Sequence, residues 1–230
     1  RLLGPEGYGL FAALTAITVA VGCFVGWGSD QLLIREVARQ PAAMRRWVGH
    51  GLLSIVLTAV PLFAALFLLL PLIEAGHLGT AALAMILLAD LWLGRWANLA
   101  VSIYMASGQS ARQSAATVIP GALRLGAIIL AGLLHAPLTM EAWAGWYLGA
   151  SALSAVLCLG LVVRDHGWPR AAWIPGLWGE GLTFAAESAL QASVKDLDKP
   201  IVLQFLGPEA AGLYAAAFRV VDVVTLPMKA

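Results

Sequence analysis

Long apolar runs recur along the whole chain of 230 residues and constrain its fold more than any other feature. One crossing of the hydrocarbon core takes about 20 helical residues. The runs are too long and too continuously apolar for barrel strands, which alternate over about ten residues. Only helices or closed barrels satisfy their backbone hydrogen bonds in lipid, so the sequence predicts an all-α, polytopic transmembrane helix bundle. The predicted spans are 9–28, 49–71, 80–104, 115–134, 142–163, 180–205 and 210–229.

Composition excludes several other classes of protein. Hydrophobic residues make up 60% of the chain and charged residues 12%, which does not fit an ordinary soluble domain. The net charge of +1 gives no indication of a nucleic-acid partner. Cys23 and Cys158 lie inside apolar runs, with no thiol or histidine at ligand spacing. We therefore expect no metal site, no cofactor and no catalytic residue.

The distribution of arginine between loops predicts the orientation of the helices. Loops on one side of the predicted bundle carry arginines, whereas the opposite loops near 72–79, 135–141 and 206–209 carry no Lys or Arg. The positive-inside rule places arginine-bearing loops in the cytoplasm. These cytoplasmic segments are 29–48, 105–114 and 164–179.

A short turn sequence occurs twice. LGPEGYGLFAA at 3–13 returns as LGPEAAGLYAA at 206–216, so that Gly4 corresponds to Gly207 at an offset of 203 residues. The predicted chain crosses the membrane an even number of times between the copies, so both turns lie on the outer face. The repeat predicts two halves related by an axis along the membrane normal.

The position of the two copies predicts the domain organisation. Residue 1 is not Met and begins inside a turn that should follow a helix, and the second copy is followed by one full helix. We expect a fragment of a chain of roughly 400 residues with at least twelve helices. Residues 1–163 would form an N-terminal transmembrane lobe (helices 2–6 of the intact count), 164–178 a cytoplasmic linker, and 179–230 the start of a C-terminal lobe (helices 7–8).

Three stretches resemble one transporter family. The turn RLLGPEGYG at 1–9, the later segment REVAR at 35–39, and LDKPIVLQFLGPEAAGLYAAAFRVVDVVTLP at 197–227 are similar to those of Wzx-type polysaccharide or O-antigen flippases. These flippases belong to the multidrug/oligosaccharidyl-lipid/polysaccharide superfamily. The resemblance implies two six-helix lobes around a central cavity that opens to each side in turn. It also implies a multi-pass protein of the bacterial inner membrane, with a polysaccharide polymerase or chain-length protein as partner.

The cargo that this resemblance implies, an oligosaccharide on undecaprenyl pyrophosphate, directs attention to cations inside the spans. Ionisable groups at membrane depth are costly and usually face a bundle interior. Arg124 shares a predicted helix face with Thr117, Pro120 and Gly121. Arg95 lies on a stripe with Asn98 and Ser102, and Arg219 lies one turn from Asp222. We expect Arg124, Arg219 and Arg95 to contact the cargo, although structural ion pairs or snorkelling would also explain them.

A polar stripe runs along the seventh predicted helix. Glu187, Gln191, Lys195 and Asp198 recur at intervals of three or four residues. Asp198, Glu187 and Lys195 are candidates for coupling transport to H⁺ or Na⁺, because a carboxylate in a low-dielectric cavity can titrate or hold a cation. The alternative is structural, with Lys195 paired to Asp198 and Asp196 paired to Lys199.

Other interpretations remain open. A cation-coupled drug exporter or a peptidoglycan-precursor flippase would have a similar fold, and a membrane polymerase or ligase is the enzymatic alternative. Asp196 and Asp198 imitate a metal-binding DxD motif, but residues two apart on a helix point in different directions and cannot share one ion.

The pairs Gly22/Gly26 and Gly145/Gly149 predict close helix packing.

Overall fold

A computed structural model describes residues 3–73, 79–134 and 139–225. Parts of the predicted outer loops, 74–78 and 135–138, and the end of the last predicted span at 226–229 lie outside the described residues. The described residues are mostly helical and contain no strand. The helices are α1 Gly4–Gly22, α2 Ser29–Arg39, α3 Met44–Ile73, α4 Thr80–Leu88, α5 Arg95–Ala106, α6 Ser110–Leu133, α7 Met140–His166, α8 Trp178–Asp196 and α9 Asp198–Thr225.

Within the part of the chain that the structure describes, five helical segments are long and apolar enough to cross a membrane. The chain is therefore a multi-pass membrane protein with an all-α polytopic bundle, and the predicted fold class is confirmed. Within the second segment, a π-helical stretch at Ala89–Gly94 joins α4 to α5. The segments are Pro41–Pro71, Thr80–Ala106, Ser110–Leu133, Met140–His166 and Trp178–Asp222.

The first predicted span is misplaced. Helix α1 begins at Gly4 and ends at Gly22, whereas the predicted span ran from 9 to 28, and α1 is not among the five segments. Gly26, Trp27 and Gly28 all have positive φ, at 84°, 51° and 68°. Residues other than glycine rarely adopt positive φ, and a right-handed helix requires negative φ, so the helix cannot continue through these residues. The GCFVGWG stretch is consequently a turn that leads into α2 rather than the end of a helix.

The second copy of the repeated turn separates the last two predicted spans. Helices α8 and α9 are interrupted only at Leu197, which keeps helical dihedral angles. The real break lies inside α9 at Gly207, with φ 85° and ψ 173°. Gly4, the equivalent residue of the first copy, has φ 69°. Both copies therefore use a left-handed glycine, followed by a proline that starts the next helix, as the sequence repeat predicts.

The two copies of the turn pack directly against each other. A Cβ atom on Gly9 would overlap the carbonyl oxygen of Pro208 and lie 2.7 Å from the nitrogen of Gly212. A Cβ atom on Gly212 would overlap the carbonyl oxygen of Pro5 and lie 3.2 Å from the nitrogen of Gly9. The contact is reciprocal, as expected where a pseudo-two-fold axis passes between repeats. Glycine at both positions allows the backbones of α1 and α9 to touch.

The glycine pair of α7 does not pack in the way that we predicted. A Cβ atom on Gly145 or Gly149 would meet no atom within 4 Å among the described residues, so the expected close packing there is wrong. Gly22 would make an ordinary contact of 3.8 Å with Leu91. A small-xxx-small pattern identifies a smooth helix surface, but it does not identify which surface meets a neighbour.

The three arginine-bearing segments meet at one end of the bundle. Arg112 lies 3.3 Å from the carboxylate of Asp165, at the end of α7. The Nε atom of Arg45 donates to the carbonyl oxygen of Trp168 at 2.8 Å. Arg35 on α2 lies 2.7 Å from Glu180 at the start of α8. Segments 29–48, 105–114 and 164–179 therefore share one side of the protein, as the charge distribution predicts.

Candidate functional site

A cavity of about 1050 Å³ lies between α1, the π-helical stretch, α5, α6, α7, α8 and α9. Its lining is unusually rich in charge for a site among membrane-spanning helices. Five cationic side chains face three carboxylates, so the formal charge of the described lining is positive. These residues are Arg95, Arg124, Lys195, Lys199 and Arg219, with Asp90, Asp196 and Asp222. A positive, partly desolvated cavity favours an anionic ligand.

The cavity collects four of the six site residues that the sequence indicates. Arg95, Arg124, Arg219 and Lys195 line it, although the predicted helices that carry them are far apart in the chain. Their roles remain predictions, because proximity to a cavity does not establish a contact with cargo.

The other two candidates of the seventh predicted helix do not line the cavity. Glu187 is exposed and accepts a hydrogen bond of 3.3 Å from Gln191. Asp198 accepts a hydrogen bond of 2.6 Å from the hydroxyl of Tyr214. The polar residues of the seventh predicted helix therefore do not form one continuous stripe along the cavity, because Lys195 lines it and Glu187 and Asp198 do not. A role for Glu187 or Asp198 in ion coupling remains a prediction.

Arg124 has hydrogen-bonding capacity that the surrounding protein does not use. Its guanidinium carbon lies 4.6 Å from the ring centroid of Tyr147, a cation–π distance. Its Nε atom is buried and has no hydrogen-bond partner among the described residues. Thr117, Pro120 and Gly121 line the cavity beside it, which confirms the helix face that their spacing predicts.

Arg95 is partly engaged within the protein. Its guanidinium lies 3.5 Å from the carboxylate of Asp30, at the start of α2, and 15% of its side chain is exposed. Its Nε atom is also buried without a partner in the described part of the chain. Asn98 lines the cavity with Arg95, whereas Ser102 turns away and donates to the carbonyl oxygen of Asn98 at 3.4 Å. A structural ion pair, the alternative to cargo contact, therefore accounts for part of the surroundings of Arg95.

The lysines at the junction of α8 and α9 differ in their environment. Lys199 is buried, pairs with Asp196 as predicted, and lies 4.7 Å from the ring centroid of Phe218. The predicted pair of Lys195 with Asp198 is wrong, because Asp198 instead lies 3.8 Å from Lys199. Lys195 has no ion-pair partner within the described ranges. It is therefore the more available of the two lysines.

The sequence interpretation missed Asp90, a cavity residue in the π-helical stretch. Its carboxylate accepts hydrogen bonds of 2.5 Å from the hydroxyls of Thr18 and Tyr147. A signal was present, since this is a lone acid well inside the predicted span 80–104, and such residues are functional candidates by default. π-helical turns also occur frequently at functional sites.

The side chain of Tyr147 contacts both Asp90 and Arg124. Its hydroxyl donates to Asp90, and its ring lies against the guanidinium of Arg124. Phe11 packs edge-on against the same ring, with centroids 5.1 Å apart. The tyrosine is therefore held from three sides, which fixes Arg124 relative to Asp90.

No group of three or more metal-ligating side chains occurs among the residues that the structure describes.

Comparison with known families gives one match. The model of a family described as "Polysaccharide biosynthesis protein" matches residues 1–227, nearly the whole chain. No curated protein and no solved structure shows a significant match.

Proposed function

The chain belongs to the polysaccharide biosynthesis protein family, and on that premise we propose that it is a flippase of lipid-linked oligosaccharides. Its cargo would be an oligosaccharide on a polyprenyl pyrophosphate carrier, moved across the bacterial inner membrane by alternating access. The protein is a transporter in this proposal, with no covalent chemistry of its own. A polysaccharide polymerase or a chain-length protein would then use the translocated cargo.

The positive lining of the cavity is the observation that carries this proposal. Charges at membrane depth are costly, so a protein keeps an excess of cations there only where an anion compensates them. A pyrophosphate group is such an anion. The buried Nε atom of Arg124 lacks a partner among the described residues, and an arginine can grip phosphate oxygens with a planar fork of donors.

The rest of the cavity suits the remainder of such a cargo. Phe11 and Trp143 pack edge-on, with centroids 5.7 Å apart, and both line the cavity. Leu125 and Ile128 are cavity residues that are also exposed on the outside of the bundle. Aromatic rings can stack on sugars, and an exposed apolar strip is compatible with a polyprenyl chain in the surrounding lipid.

A cation-coupled drug exporter is the second candidate, and a specific observation favours it. Asp90 lies beside the aromatic group formed by Phe11, Trp143 and Tyr147, an arrangement that can bind an organic cation. The excess of arginine and lysine in the same cavity opposes a cationic substrate. A peptidoglycan-precursor flippase would use the same pyrophosphate chemistry with a different group attached to the pyrophosphate.

Substitution of Arg124 tests the proposal. The assay is restoration of surface polysaccharide in a flippase-deficient strain at matched membrane levels of protein. If the cavity recognises the geometry of pyrophosphate, Arg124→Ala should restore almost nothing and Arg124→Lys only a small fraction, because lysine offers a single compact charge. Arg39→Ala is the matched control, since Arg39 lies on α2 outside the cavity and its side chain is 68% exposed. Full restoration by Arg124→Ala would remove this residue from the cargo path.

A further inference from the structure

The chain between α7 and α8 forms a strap, residues 167–177, that crosses the outside of α3. The backbone nitrogen of Arg170 donates to the carbonyl oxygen of Arg45 at 2.9 Å. Further along the strap, the backbone nitrogen of Ile174 donates to Nδ1 of His50 at 3.3 Å. These two hydrogen bonds fix the strap against the first two turns of α3.

The strap covers a part of α3 that would otherwise face lipid. Leu53, Val56 and Val60 form an exposed apolar stripe on this helix. Gly49 continues the stripe by its spacing, one turn closer to the start of the helix, and yet it is buried. A Cβ atom on Gly49 would overlap the carbonyl oxygen of Arg170, so the strap is what covers it. The strap therefore begins where the lipid-facing stripe of α3 ends.

Exposed arginines end the apolar stripes of two helices. Arg46 is seven residues before Leu53 on α3, and Arg164 is seven residues after Leu157, an exposed residue of α7. Seven residues make two helical turns, so each arginine shares the face of an exposed leucine and lies about 10 Å further along its helix. The two arginines therefore mark the edge of the hydrocarbon core at this end of the bundle.

The strap places tryptophans at the same edge. The side chain of Trp168 is 73% exposed, and its carbonyl oxygen accepts from Nε of Arg45 at 2.8 Å. Trp173 is also exposed, and its ring centroid lies 5.4 Å from that of His50. An indole ring prefers the boundary between hydrocarbon and water. A strap that rests among lipid headgroups explains why these large aromatic side chains are left uncovered by the protein.

The positive charge of this surface is not neutralised within the described part of the chain. The acid next to Arg164 is Asp165, which already accepts from Tyr104 and pairs with Arg112. In water an exposed arginine needs no partner, but at the edge of a bilayer it attracts anionic lipids. Four exposed arginines take part in none of the ion pairs between described residues: Arg45, Arg46, Arg164 and Arg170.

We propose that this arginine surface, formed by Arg46, Arg164, Arg170 and Trp168, binds the headgroups of anionic phospholipids. The lipids belong to the leaflet at this end of the bundle, and their phosphate groups lie beside the guanidinium groups. Bound lipid holds the strap, and with it the start of α8, at the membrane surface. The inference goes beyond the proposed function, because these lipids are not the cargo and do not enter the cavity.

Quenching of Trp168 by brominated lipids tests the inference on the whole protein in a bilayer. The purified protein is reconstituted in phosphatidylcholine with a fixed minor fraction of phosphatidylglycerol, and one of the two lipids carries bromine atoms, which quench nearby tryptophans. The difference between wild type and Trp168→Phe isolates the signal of Trp168. Brominated phosphatidylglycerol should quench this signal by more than its share of the bilayer, which gives a relative association constant above that of phosphatidylcholine.

Variants of single arginines locate the site. Arg46→Ala should lower the relative association constant by up to about fivefold, the usual contribution of one arginine near an anionic membrane surface. Arg46→Lys should keep the preference, because the attraction depends on charge. Arg39→Ala is the matched control, since Arg39 is an exposed arginine of α2 that lies 3.4 Å from Glu36. It removes the same charge and should leave the constant unchanged.

Each contrary result is specific. Equal quenching of Trp168 by the two brominated lipids in wild type would overturn the headgroup site, and no quenching by either lipid would place the strap in water and overturn it as well. Equal losses in Arg46→Ala and Arg39→Ala would show a general attraction by this side of the protein instead of a site. None of these results bears on the proposed function, because the assay contains no oligosaccharide cargo.

Discussion

Replacing Gly9 with alanine should destabilise the protein, because this glycine allows the two repeated turns to touch. The added Cβ atom would overlap the carbonyl oxygen of Pro208 and lie 3.1 Å from its carbonyl carbon. These are backbone atoms of a helix start and cannot rotate away, so α1 and α9 must separate. Overpacking typically costs about 1–3 kcal/mol, and alanine recovers about 1 kcal/mol of helix propensity. Taking the upper end for a backbone overlap, we expect a net loss of about 2 kcal/mol.

The assay is thermal unfolding in detergent, followed by intrinsic tryptophan fluorescence. A loss of about 2 kcal/mol should lower the midpoint by about 4–8 °C for a chain of this size. Gly212→Ala should have a similar effect, since its Cβ atom would overlap Pro5 in the reciprocal contact. The double variant should lose less than the sum, because one separation relieves both overlaps.

A control variant shows what a harmless glycine replacement does. Gly149 lies in open space on α7, so Gly149→Ala should be neutral or stabilising by up to about 1 kcal/mol. If Gly9→Ala unfolds at the same temperature as Gly149→Ala, the reciprocal contact does not hold the repeats together. Additive losses in the double variant would equally refute a shared contact.

Three other predictions concern membrane orientation, ion coupling and the ion pair of Arg35 with Glu180. With cysteine at Ala171 or Ala210, an impermeant thiol reagent applied to intact cells should label Ala210→Cys only; labelling of Ala171→Cys would reverse the orientation. If Asp198 couples transport to an ion gradient, Asp198→Asn should abolish the response to that gradient at normal protein levels, and an unchanged response would leave it a structural partner of Tyr214. The side chains of Arg35 and Glu180 are 32% and 54% exposed, so solvent screens their pair and a double-mutant cycle should give a coupling below about 1 kcal/mol; a larger value would mean that this contact anchors α8.

The fold followed from the sequence wherever a physical constraint acts locally. Apolar length predicted the spans, and arginine placement predicted which segments share one end of the bundle. The repeat predicted a break at Gly207, because a left-handed glycine followed by proline can interrupt a helix in only a few ways. The C-terminal end of α1 was misjudged because Phe24 and Val25 continue the apolar run through the turn, and hydropathy does not register positive φ.

The site was harder to predict because it depends on contacts between distant segments. Arg124, Arg95 and Arg219 could be selected as costly charges in apolar runs, and Lys195 as part of the polar stripe on the seventh predicted helix. Which pairs they form could not, since spacing along one helix does not reveal a partner on another. The predicted partner of Lys195 illustrates this limit, because Asp198 instead takes Tyr214 and Lys199.

The small-residue spacing on one helix also could not predict which helices come into close contact. Gly145 and Gly149 carry the small-residue spacing but face open space, whereas Gly9 and Gly212 touch. The repeat itself pointed to this contact, since a pseudo-two-fold axis that passes between two copies would bring their equivalent residues together.

The most direct test of the account is transport by the purified protein in liposomes. The vesicles contain a polyprenyl pyrophosphate oligosaccharide with a fluorescent label on its sugar, and an impermeant reductant bleaches only the label in the outer leaflet. If the protein flips this lipid through the cationic cavity, wild type should expose the inner-leaflet label to bleaching, Arg39→Ala should do the same, and Arg124→Ala should not. Bleaching by wild type that stops at the level of protein-free vesicles, or flipping by Arg124→Ala at the wild-type rate, would contradict the account.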